Sequence, residues 1–162
     1  MPTQTPHRAL PRPSLLSVAI AGLLLAPVAR AATITVGSAA DPGDGSTTCT
    51  LREAITSINT SSLISGCVNT GDDFGTDDTI LFASSVTGTI TLSGSELQIT
   101  KSMAIAGPGA DDLAVDGDFL SRVFNITGAP GPTVLIEGLT IQNGSDSGNG
   151  GGIFLKGSSL AL

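Results

Sequence analysis

Leu113-Ala114-Val115-Asp116-Gly117 and, after an interval, Leu139-Thr140-Ile141-Gln142-Asn143-Gly144 are the stretches that decide the fold. Each reads as a short strand that turns on a glycine. A second pair echoes in the same way, Ile105-Ala106-Gly107 with Ile136-Glu137-Gly138. Outward from these phrases the same idea repeats from Thr79 onward. The runs are Thr79–Phe82, Thr89–Leu92, Leu97–Thr100, Met103–Ala106, Leu113–Val115, Val123–Ile126, Val134–Ile136, Leu139–Ile141, Ile153–Leu155 and Leu160–Leu162. Glycine, proline, aspartate or serine separates nearly all of them.

Many short strands at close spacing fit either a sandwich or barrel, or a solenoid. The runs are shorter than the ~5–6 residues usual for sandwich strands. Asn143-Gly144 opens a glycine-rich loop instead of a two-residue hairpin. The pattern therefore predicts an all-β parallel β-helix. Ile, Leu and Val stack inside, Thr and Ser point outward, and glycine turns the corners.

Composition narrows the class further. The chain has 162 residues, 13% charged, with a net charge of −7 and 21 glycines. A chain this acidic and this poor in cations is not a nucleic-acid binder. At 40% hydrophobic residues it is not an acidic disordered tail. Scarce Lys and Glu exclude a coiled coil.

The first 31 residues read as an address. Arg8 and Arg12 precede an apolar run from Ser14 to Val28, and Ala29-Arg30-Ala31 offers small residues at an A-x-A site. The run is too short for the ~20 residues of a membrane span. A signal peptide cut before Ala32 is expected, hence an exported protein at the cell surface or secreted, with no membrane span. Arg52, Lys101, Arg122 and Lys156 then face all 14 acids, and the only histidine, His7, leaves with the leader. Imidazole catalysis and His-ligated zinc are excluded in the mature chain.

Two cysteines remain, Cys49 and Cys67. In an exported protein an even pair reads as one disulfide. A metal or redox pair is the rival reading, and it lacks both a histidine and C-x-x-C spacing. Between them Thr50 and Glu53 form a capping box, and Leu51, Ala54, Ile55 and Ile58 follow on one helical face. Glu53 is read as a cap and Arg52 as a partner for a nearby acid or carbonyl, not as catalytic groups.

Cys49-Thr50-Leu51-Arg52-Glu53-Ala54-Ile55, preceded by Asp41-Pro42-Gly43-Asp44-Gly45, resembles the N-terminal module of CSLREA-domain proteins. Thr50 stands where that phrase has serine and keeps the capping hydroxyl. Cys67 and Ile80-Leu81-Phe82 fill the later places. The resemblance implies an exported bacterial protein in which the module precedes a right-handed parallel β-helix of the pectin-lyase-like kind. The expected organisation is a leader over 1–31, a disulfide-stapled, helix-containing cap over 32–78, and the first rungs of the β-helix over 79–162. No polar cap follows Leu162, so a truncated solenoid, or a partner over its open end, is expected.

Few residues suggest chemistry. Asp72, Asp73, Asp77 and Asp78 crowd one loop and are candidate Ca²⁺ ligands, although the spacing matches no calcium-loop motif. Asp116, Asp118 and Arg122 are the only acid-and-cation grouping on the predicted solenoid and form a candidate polar surface site. No catalytic residue is assigned and no cofactor is expected beyond that calcium. A structural or adhesive protein, meeting an extracellular glycan or a cell-surface protein, is the leading reading. The alternatives are the front of a carbohydrate-active lyase or hydrolase, and a calcium- or glycan-binding module.

Overall fold

The computed structural model describes Met1 and residues 31–41, 47–64 and 66–162. The expected leader, apart from Met1 and Ala31, lies outside the described residues. Among the described residues, eleven short strands and one helix build a β-solenoid of about three turns. The strands are β1 (Thr33–Val36), β2 (Asp78–Phe82), β3 (Gly88–Thr91), β4 (Leu97–Ile99), β5 (Met103–Ala106) and β6 (Leu113–Asp116). They continue as β7 (Phe124–Thr127), β8 (Thr133–Glu137), β9 (Thr140–Gln142), β10 (Ile153–Lys156) and β11 (Ser159–Ala161). All pairings between them are parallel, in three sheets: β1-β2-β5-β8-β11, β4-β7-β10 and β3-β6-β9.

The echoed phrases lie one rung apart. Ile105 and Ala106 pair with Ile136 and Glu137, and Val115 and Asp116 pair with Ile141 and Gln142. Repetition in sequence is thus stacking in space. Because side chains alternate across a strand, in-register stacking lines like residues into columns. Ile34, Ile80, Ile105 and Ile136 form one such buried column, and Leu97 and Phe124 form another, which the half-buried Ile153 continues. Each fully buried Ile or Leu contributes roughly 1.5–3 kcal/mol, an upper estimate that ignores residual burial in the unfolded chain.

The helix α1 (Leu51–Thr60) has Thr50 as N-cap. The Thr50 hydroxyl accepts from the Glu53 N–H, and Glu53 Oε2 accepts from the Thr50 N–H at 2.9 Å. Leu51, Ala54, Ile55 and Ile58 are buried on the inward face. Cys49 and Cys67 are joined by a disulfide with Cα atoms 4.5 Å apart, which fastens both flanks of the helix.

This helix solves an edge problem. β4 starts its sheet, and an uncovered edge there would offer unpaired backbone to another chain. Asn59 meets that edge as a strand would: its Nδ2 donates to Gln98 O at 2.7 Å, and its Oδ1 accepts from Thr100 N at 2.9 Å. Arg52 donates to Ser95 O and Glu96 O, and two further N–H groups grip the buried Asp41 carboxylate at 2.6 and 2.9 Å. Asp41 in turn accepts from Ser93 N.

β1 has no counterpart among the runs read from sequence. It pairs in register with β2, Thr33 to Thr79 through Val36 to Phe82, and so lies in the same sheet as the rungs that follow.

Candidate functional site

The corner after β6 gathers the side chains with most chemistry. Asp116 accepts from the Asp118 N–H at 2.7 Å, Gln142 Nε2 at 2.7 Å and Asn143 Nδ2 at 2.8 Å. The last two belong to the next rung, so one carboxylate binds two turns together. These donors hold the Asp116 carboxyl below its ordinary value of 3.8, the Asp118 backbone bond contributing most and partial burial opposing it. A lowered folded pKa means stability that is present above the ordinary value and lost as pH falls through the folded one. Asp116→Asn should therefore lower Tm by a few degrees at pH 7 and by progressively less as pH falls below 3.8. Thermal melts of both proteins across that pH range check this.

Beyond Asp116 the backbone enters the left-handed region at Asp118 (φ 50°) and Phe119 (φ 58°). The Phe119 N–H is held by Asn143 O at 2.8 Å and the Leu120 N–H by Gly117 O at 2.9 Å. The resulting knuckle leaves Phe119 and Leu120 exposed at 70% and 68%. Left-handed geometry costs a non-glycine residue roughly 1–2 kcal/mol.

Arg122 pairs with neither Asp116 nor Asp118. It bridges three rungs instead. Its Nη1 meets Glu96 Oε2 at 2.6 Å, its Nη2 meets Asp146 Oδ2 at 2.8 Å, and it donates to the carbonyls of Asn149 and Gly150. The guanidinium also lies 4.8 Å from the Phe154 ring centroid, a cation–π contact. Only 10% of this side chain is exposed. The grouping of Asp116, Asp118 and Arg122 expected from sequence is therefore split: Asp116 and Arg122 serve separate struts, and Asp118 is exposed and engages Asp116 through its backbone. A shallow groove of about 420 Å³ runs at the Arg122 strut, lined by Glu96, Leu120, Ser121, Arg122 and Asp146 among others. The Ser121 hydroxyl is buried there without a partner.

The acidic loop does not converge. Asp72, Asp73 and Asp77 are exposed, whereas Asp78 is buried and turned inward to the backbone N–H groups of Ala32 and Gly75. Among the described residues no three or more His, Cys, Asp or Glu gather to hold a metal ion. Strand parity explains the split. Asp78 is two residues before the inward Ile80, so it shares that residue's face.

Among the described residues no helix is long and apolar enough to cross a membrane. Comparison with family models, curated proteins and solved structures found nothing that matches this chain.

Proposed function

We propose that this chain belongs to an exported structural or adhesive β-solenoid of the kind that CSLREA-like modules begin, and that it meets its partner at the Phe119–Leu120 knuckle. The observation that carries the reading is the knuckle itself. Two large apolar side chains are held in solvent by a backbone that accepts left-handed geometry at a phenylalanine. Strain kept at an exposed apolar point is characteristic of a contact site. The polar groove beside it suits an extracellular glycan or the polar rim of a cell-surface protein. The acidic chain and the disulfide agree with life outside the reducing cytosol. Scaffolding is favoured over catalysis because the strongest acid and base candidates hold each other: Arg122 with Glu96 and Asp146, Arg52 with Asp41.

The test is adhesion of purified protein to immobilised extracellular polysaccharide and to cell-surface protein. Replacing Phe119 and Leu120 together by alanine should leave Tm nearly unchanged, since both are exposed, and weaken adhesion more than tenfold. Undiminished adhesion by the folded double variant would refute the knuckle as the contact. Absence of adhesion in the parent protein would leave a purely structural rod.

A further inference from the structure

Asp78 is fully buried, and among the described residues no Lys or Arg is paired with it. Its Oδ1 accepts from Ala32 N at 2.8 Å and from Gly75 N at 2.9 Å, while its Oδ2 is buried with no partner at all. Burying a carboxylate without a counter-charge is costly, and a half-satisfied one more so. The nearest donor is the nitrogen of Ala32, itself fully buried. That residue is also the first one after the expected cleavage site.

We propose that Asp78 is the receptor for a new N-terminus, the α-ammonium of Ala32 released when the leader is removed. Water, delivered by the export peptidase, hydrolyses the Ala31–Ala32 peptide bond. Ala31 leaves as a carboxylate on the leader, and the Ala32 nitrogen becomes an amine that takes up a proton. The neutral amide with one hydrogen is replaced, at the same point, by a cation with three. One hydrogen keeps the bond to Oδ1, another is available to Oδ2, and the buried charge gains its counter-ion.

The site survives the loss of the leader. Ala32 O accepts from Thr79 N at 2.8 Å, Thr33 N donates to Asn69 Oδ1 at 2.9 Å, and Thr33 O accepts from Thr70 N at 2.9 Å. These bonds and the β1–β2 ladder hold Ala32 against Asp78 without help from residue 31. Among the described residues, only the bond from Asp72 N to Ala31 O is given up, at an exposed loop. The uncut chain therefore carries an uncompensated buried charge in its first rung, and the processed chain does not. Processing would couple export to a locked cap.

This inference rests on the export reading for the position of the cut. The experiment uses the protein as secreted by a bacterial host. N-terminal sequencing should give Ala32; any other terminus overturns the cut site and the inference with it. With Ala32 found, half of the sample is unfolded, acetylated at its amines with the disulfide intact, and refolded. The other half is carried through the same cycle unmodified. The free-amine form should melt about 5–10 °C higher, and its α-amine should resist acetylation in the folded state. In Asp78→Asn the difference in Tm between the two forms should vanish. Equal melting of both forms of the parent, or an α-amine that acetylates freely when folded, would refute capture while leaving the export reading intact. The labelling result stands alone should Asp78→Asn fail to fold.

Discussion

Gly107→Val should lower Tm by about 6–24 °C. Gly107 and Gly138 are the turn residues of the echoed phrases and sit back to back on adjacent rungs. A Cβ added at Gly107 would lie 2.1 Å from Gly138 O, and one at Gly138 would lie 2.6 Å from Gly107 O. Neither obstacle is a movable side chain. Relief requires separating two rungs that the Gly107 N–H to Glu137 O bond, at 2.8 Å, holds together. Overpacking typically costs 1–3 kcal/mol, and a backbone obstacle places this site at or above the upper end, about 3 kcal/mol. At roughly 2–8 °C per kcal/mol for domains of this order, the shift is about 6–24 °C. Gly88 and Gly94 supply the control. Both have φ of 84° and nothing within 4 Å of an added Cβ. Gly88→Ala and Gly94→Ala should cost only the conformational penalty, about 1–2 kcal/mol each. Equal melting of Gly107→Val and these controls would mean that the rungs at this corner part easily.

That contrast shows what sequence made legible. Alternation and glycine punctuation placed all ten runs from Thr79 onward, because both follow from the local geometry of a strand and a turn. The helix was legible because Thr50 and Glu53 are three residues apart. β1 was not: Thr33–Val36 alternates and Gly37 follows it, but its partner β2 lies beyond the helix and the disulfide. The Arg122 strut was hidden for a related reason. Glu96 and Asp146 are each about one rung away in sequence, so the cluster exists only once the register is known. Asp78 had a usable signal. Its parity with Ile80 assigns it to the inside, although four aspartates in one loop look alike by composition. Asp116 and Arg122 looked like one site because they are six residues apart, yet the knuckle between them sends their side chains to different neighbours.

The knuckle and the strand after it also separate two phenylalanines five residues apart, and the larger expected cost falls on the second. Phe124 is fully buried in β7, in the column between Leu97 on one rung and Ile153 on the next. Its backbone is fixed by Phe124 N donating to Gly152 O at 3.0 Å, so the strand has little freedom to close a gap. Phe124→Ala removes the ring and leaves a cavity facing apolar side chains above and below, at a cost of about 3–5 kcal/mol. Phe119→Ala, on the exposed knuckle, should change stability by less than about 0.5 kcal/mol. Urea denaturation of both variants measures the difference, with an unchanged m-value expected for Phe119→Ala. A solenoid core is one side chain deep between rungs, so the column containing Phe124 cannot borrow packing from a second layer. A loss below about 1 kcal/mol for Phe124→Ala would mean that neighbouring rungs slide together to fill the space. The stacked registers of β4, β7 and β10 would then be far softer than their parallel ladders imply.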